Sequence, residues 1–131
     1  MRNLFIEKIY NLCDGKKAEE VFLTYIKSDG TQDDITYRSF GLKCELLMQK
    51  FQKSILHRKD RVLLLTPMSP FGCIAVTALA ISELVSVVLN PQLPEEELDS
   101  LVKKSDISGI VCDEEIYQKY AYKWTQKYPV F

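Results

Sequence analysis

The stretch Arg61-Val62-Leu63-Leu64-Leu65-Thr66-Pro67-Met68-Ser69-Pro70 decides the fold. A strand with one wet face alternates apolar and polar side chains, whereas Val62 to Leu65 leave no polar face at all. Four such residues predict a central parallel strand covered by helices on each side. Behind them, Ser69 reads as a helix N-cap and Pro70 as the first helical residue, where proline's missing N–H is not needed. No residue from Val62 to Ser82 is charged, and after Glu83 the uncharged run resumes to Pro94. A membrane helix needs about 20 continuous apolar residues, and only about a dozen follow Pro70. A buried strand, a turn and a buried helix explain the run, and no membrane span is expected.

Downstream the pattern alternates. A helix is predicted from Pro70 to Glu83, a strand from Val85 to Leu89, and a helix from Pro94 to Lys104 with Leu98, Leu101 and Val102 as its inner stripe. The strand Gly109 to Cys112 follows, then a helix from Glu114 to about Lys127. Such alternation means a parallel sheet with right-handed crossovers. Upstream, Phe5, Ile9, Leu12 and Cys13 have helical spacing, and Asp14-Gly15 supplies a stop. Val21 to Lys27, the turn Ser28-Asp29-Gly30-Thr31 and Ile35-Thr36-Tyr37 read as a hairpin. Phe40, Cys44, Leu47, Met48, Phe51 and Ile55 form one stripe of an amphipathic helix from about Tyr37 to Lys53. The expected class is α/β: a mostly parallel sheet with helices on both faces, preceded by a helix and a β-hairpin, in a single domain over residues 1–131.

Composition agrees. The chain has 131 residues, 47% apolar and 27% charged, the make-up of an ordinary globular domain rather than a disordered or disulfide-stapled one. Seventeen Lys and Arg against eighteen Asp and Glu offer no electrostatic steering toward nucleic acid or an anionic membrane. Cys13, Cys44, Cys73 and Cys112 lie 31, 29 and 39 residues apart, without the short spacing of zinc sites or redox dithiols. They are expected to be reduced core thiols of a cytoplasmic protein. Met1 to Lys8 meets charge too early to hold a signal peptide's apolar region.

In an open parallel sheet, ligands bind beyond the carboxyl ends of the strands. Those ends are Thr66-Pro67-Met68-Ser69, Asn90-Pro91-Gln92 and Asp113-Glu114. A phosphate cradle there would need clustered glycines, but Gly15, Gly30, Gly41, Gly72 and Gly109 are all at least 11 residues apart. Asp113-Glu114-Glu115 and Glu95-Glu96-Glu97 are placed to complement helix dipoles. His57, in a basic loop, has no partner to orient it as a general base. Tyr117, Tyr120, Tyr122, Trp124 and Tyr128, interleaved with Lys119, Lys123 and Lys127, read as an amphipathic closing helix on the sheet rather than a nucleic-acid strip. No catalytic, cofactor-binding or metal-ligating residue is assigned from these patterns.

The order of pieces is more specific than any one of them. Ile35-Thr36-Tyr37-Arg38-Ser39-Phe40 opens the long helix, and Lys59-Asp60-Arg61-Val62-Leu63-Leu64-Leu65 opens the central strand. Pro67-Met68-Ser69-Pro70, Val87-Val88-Leu89-Asn90-Pro91, Leu93-Pro94-Glu95-Glu96-Glu97-Leu98, Lys104-Ser105 and Ile110-Val111-Cys112-Asp113 complete the series. This series resembles the amino-terminal portion of the adenylate-forming superfamily, which includes acyl-CoA synthetases, adenylation domains of nonribosomal peptide synthetases and luciferases. The family pattern has a leucine-threonine-tyrosine helix start, glycine-aspartate-arginine-valine, proline-asparagine-serine-proline and a late asparagine-proline. The resemblance runs from about Leu4 to Asp113.

The resemblance implies a fragment of a ligase that activates a carboxylate with ATP and magnesium to an acyl-adenylate and passes the acyl group to a thiol such as coenzyme A. The family's phosphate loop, magnesium ligands, ribose-binding aspartate and mobile lysine lie downstream of the matched region, so no catalytic residue carries over. The implied partner is the missing remainder of such an enzyme, and a homo-oligomer is a further expectation. The other readings are the non-catalytic half of a split enzyme and a stand-alone protein-interaction module. Inside the matched region this sequence departs from the family at three points. Lys59 stands where the family has glycine before the aspartate, Glu83 replaces a helix-ending glycine, and Val88 replaces a proline. Glycine ends a helix in the left-handed conformation without a Cβ penalty, so Glu83 is expected either to be strained or to let the helix run on.

Overall fold

A computed structural model describes residues 4–131, and the side chains of all of these except Phe5, Ile6, Ala121 and Tyr122. The expectations placed on Met1 to Asn3, and on the side chains of Phe5 and Tyr122, lie outside the described residues. The chain gathers into two compact units, Met1–Leu46 and Leu47–Phe131.

The first unit holds α1 (Leu4–Asp14), β1 (Val21–Ile26), β2 (Gln32–Thr36) and the start of α2 (Tyr37–Gln52). β1 and β2 pair antiparallel from Val21 opposite Thr36 to Ile26 opposite Gln32, with an irregularity between Val21 and Leu23. Gly30 turns the hairpin at φ +87°, a conformation only glycine adopts freely. The Asp29 carboxylate braces the turn by accepting from the Thr31 amide at 2.9 Å and the Thr31 hydroxyl at 2.6 Å. Those two donors hold the Asp29 carboxyl below its usual range, the hydroxyl most. α2 buries Phe40, Cys44, Leu47 and Phe51, as its periodicity predicts. Ile55 does not extend the stripe. The helix ends at Gln52, and Ile55 stands 74% exposed in the loop beyond.

The second unit is built on β3 (Arg61–Leu65), α3 (Pro70–Ile81), β4 (Val85–Val88), α4 (Glu95–Lys104), β5 (Gly109–Cys112) and α5 (Glu114–Lys119). The three strands form a parallel sheet in the order β4-β3-β5, with Leu63 beside Val87 and Ile110. β3 is the central strand its four aliphatic residues predict: Val62, Leu63 and Leu65 are fully buried and Leu64 nearly so. One face carries Leu63, Leu65, Ile110 and Cys112 in a cluster with Leu98 and Val102 of α4 and Ile116 of α5. On the alternate positions Val62, Leu64 and Val111 are buried as well, and α3 packs against β3 and β4.

Two further sequence expectations need correcting. The closing helix stops at Lys119 instead of running to Lys127 and gives way to a 3-10 turn, Ala121–Trp124. The chain then returns to the sheet. Phe131 donates to the Ile110 carbonyl at 2.8 Å and Ile110 to the Pro129 carbonyl at 2.9 Å, a parallel bridge alongside β5. Tyr120, Trp124 and Tyr128 still pack on the apolar cluster, and the Trp124 indole donates to Asp99 at 3.1 Å. The other correction is Cys73, which is exposed, while Cys44 and Cys112 are buried and Cys13 is half-buried. It occupies the second turn of α3, on the side away from buried Ile74, Ala75, Ala78 and Leu79.

Candidate functional site

The carboxyl ends of β3, β4 and β5 open on one side of the second unit, where a parallel sheet can receive a ligand. At each end the local sequence has already committed its polar groups. Ser69 caps α3, its Oγ accepting from the Gly72 amide at 3.3 Å, and Pro70 fills the first turn. Asn90 Oδ1 accepts from the Gln92 amide at 2.9 Å, a side-chain turn that redirects the chain toward α4. Asp113 Oδ1 accepts from the Ile116 amide at 3.0 Å as the cap of α5, and its other oxygen lies 3.5 Å from the Thr66 hydroxyl. Thus Thr66 and Asp113, 47 residues apart, meet across the ends of β3 and β5.

Beyond β5 a cleft of about 440 Å³ is lined by Cys112, Asp113, Glu114 and Tyr117 on one side and Tyr128, Pro129, Val130 and Phe131 on the other. One of the groups lining it is a thiol that does not easily ionise. Burial pushes Cys112 up to about 11, and the charges of Asp113 and Glu114 add to the effect. Asp113 and Glu114 thus put two carboxyl groups on its lining. The Glu114 carboxylate accepts from the Gln118 amide at 2.8 Å.

The remaining sequence candidates disperse. His57 is exposed, and its backbone N–H donates to Asp60 at 2.8 Å. Glu95, Glu96 and Glu97 occupy the first turn of α4, as their pattern predicts, and Glu95 pairs with Lys123. Lys119 and Lys127 lie over the rings of Tyr120 and Tyr128, at 5.3 Å and 5.4 Å. No group of three or more metal-ligating side chains occurs among the described residues. No helix among them is long and apolar enough to cross a membrane. What sequence reasoning missed is the second wall of the cleft. Pro129-Val130-Phe131 is too short to carry a periodicity, and its strand character comes from pairing with β5.

The chain matches the profile of the family described as AMP-binding enzyme over residues 13–129. No curated protein sequence matches it. Among solved structures, it is similar to a four-domain nonribosomal peptide synthetase bound to AMP and glycine, with a TM-score of 0.78 and 18% identity over 100% of this chain and 9% of that one. A fatty acid AMP ligase from Legionella pneumophila gives 0.78 at 14% identity, over 95% of this chain and 22% of that one. The N-terminal subdomain of Klebsiella oxytoca NpsA gives 0.66 at 23% identity, over 83% of this chain and 27% of that one. These likenesses establish the fold, and this chain spans less than a third of each of the three. The ordered motifs, the parallel sheet and a profile match over residues 13–129 together make this chain a member of the AMP-binding enzyme family.

Proposed function

We propose that these residues are the amino-terminal part of an ATP-dependent, AMP-forming ligase that activates a carboxylate, and that they are inactive alone. The observation that carries this reading is the family match over residues 13–129. The residues present do not fit a nucleoside triphosphate. The Ser69 hydroxyl accepts from the Gly72 amide, the cleft is lined in part by Asp113 and Glu114, and no two glycines lie close enough in sequence to form a glycine-rich cradle. The phosphate loop, the magnesium ligands and the lysine that complete the chemistry belong to the remainder of such an enzyme, as does any site for coenzyme A.

What these residues contribute is scaffold. They provide a buried three-stranded sheet whose β4 edge, with Val85 and Val88 exposed, is open to further pairing by that remainder or by a second copy. A cytoplasmic setting without nucleic-acid binding belongs to the same proposal, since the balanced charge offers no steering toward nucleic acid. Carboxylate-dependent exchange of pyrophosphate into ATP tests the reading. Exchange is expected to be absent with this chain alone and to appear when a chain carrying the missing motifs is added. Exchange by the chain alone would overturn it.

A further inference from the structure

We infer that Cys13 and Cys44 form a reversible disulfide that fastens the last turn of α1 to α2. The inference is independent of the proposed ligase role and lies wholly within the first unit. A Cβ placed on Gly41 would fall 2.7 Å from both Cβ and Sγ of Cys13, so the bare backbone at Gly41 is the bed on which the cysteine side chain rests. Cys44 is three residues along the same helix, and residues at that spacing share a face with Cβ positions ~5–6 Å apart. A disulfide needs the two Cβ atoms roughly 3.5–4.5 Å apart. Cys13, bedded on Gly41, thus lies on the face of α2 that also carries Cys44, and the bond closes when the end of α1 brings the two Cβ atoms into that range.

The two thiols differ in access. Cys44 is 3% exposed, whereas Cys13 is half-buried, so an oxidant meets Cys13 first. Burial raises both thiols, Cys44 to about 12 with a contribution from Cys13, while the Gly41 backbone partly offsets the effect at Cys13. The thiolate is the reactive form, so oxidation is slow at neutral pH and quickens as pH rises. With hydrogen peroxide, the Cys13 thiolate attacks one peroxide oxygen, the O–O bond breaks, and Cys13 becomes a sulfenic acid as water leaves. Cys44 sulfur then attacks Cys13 sulfur, the S–O bond breaks, and a second water leaves. Two thiols are oxidised and one peroxide is reduced.

The test is peptide mapping of the whole chain after hydrogen peroxide treatment. The expected result is a mass lower by about 2 Da, with tryptic peptides 9–16 and 44–50 joined and released by dithiothreitol. Cys73→Ser should leave the link intact, and Cys13→Ser should abolish it. The oxidised chain should also unfold at higher urea than the reduced one. Should Cys44→Ser fail to fold, the map of the unaltered chain decides alone. Cys13 recovered as a sulfenic or sulfinic acid without the cross-link, or joined to Cys73 instead, would overturn the inference.

Discussion

The amide of Lys59 donates to the carbonyl of Glu83 at 2.8 Å, and both residues are left-handed, with φ of +71° and +59°. These are two positions where the related family carries glycine. Glu83 ends α3 in a Schellman motif, with its own amide on the Ala80 carbonyl at 3.1 Å and the Leu84 amide on that of Leu79 at 3.0 Å. The next amide, Val85, bonds the Asp60 carbonyl at 2.9 Å and starts the pairing of β3 with β4. A third left-handed residue, Asp106 at φ +51°, stands shortly before β5. Each parallel strand is thus approached through a residue held where L side chains are strained.

Replacing Lys59 with Gly should raise stability by up to about 1 kcal/mol, because strain is relieved at a φ glycine prefers. Glu83→Gly should be neutral or stabilising by less, since it also removes the exposed Arg58–Glu83 ion pair at 2.7 Å, worth roughly 0–1 kcal/mol. Urea melts decide. A loss of about 1 kcal/mol, the cost in a helix interior, would contradict the assigned conformations.

Ser69→Ala should destabilise the chain by about 1 kcal/mol, the usual loss when an N-cap hydroxyl is removed. Ser69→Asp should retain most of the stability, because its carboxylate can accept from the same amide and complements the helix dipole. Equal losses from the two variants in denaturant melts would show that Ser69 does not cap α3.

Stability should fall in alkali. Burial is the main cause that holds Cys44 at about 12 and Cys112 at about 11 in the folded chain, against about 8.5 for a free thiol. A raised folded pKa stabilises fully below the unfolded value, and that contribution is lost as pH rises toward the folded one. Urea midpoints at pH 7 and pH 10 should therefore diverge, and Cys112→Ala should narrow the gap. An unchanged gap in Cys112→Ala would contradict the assignment for that thiol.

The open edge of β4 should promote association. Val85 is 42% and Val88 66% exposed on a strand without charged residues, the kind of edge that pairs with another chain. Light scattering should show a dimer or larger species, and Val88→Lys should shift it to monomer. A monomer across a hundredfold concentration range would contradict this expectation.

Most of the second unit was legible in the sequence because its signals are local. Val62 to Leu65 announce burial on both faces, Ser69-Pro70 announce a cap, and Leu98 with Val102 announce the face of α4. The misread features depend on tertiary context. The stripe of α2 marks Cys44 as buried, but α3 is apolar nearly all round, so no local signal shows that Cys73 faces away, and only the sheet determines which side of α3 is covered. The same holds for Tyr120, where the expected long helix breaks. Bedding Trp124 and Tyr128 on the cluster and returning Phe131 to β5 outweighs helical propensity. The departure at Glu83 was visible only against the family pattern, and the structure takes the strained of the two anticipated outcomes.

Isothermal titration of the isolated chain with ATP and magnesium tests the central claim most directly. Strand ends committed to caps and a cleft lined in part by Asp113 and Glu114 predict no binding in the micromolar range. A saturable heat with micromolar affinity would contradict the assignment of these residues to scaffold and place a nucleotide site within them.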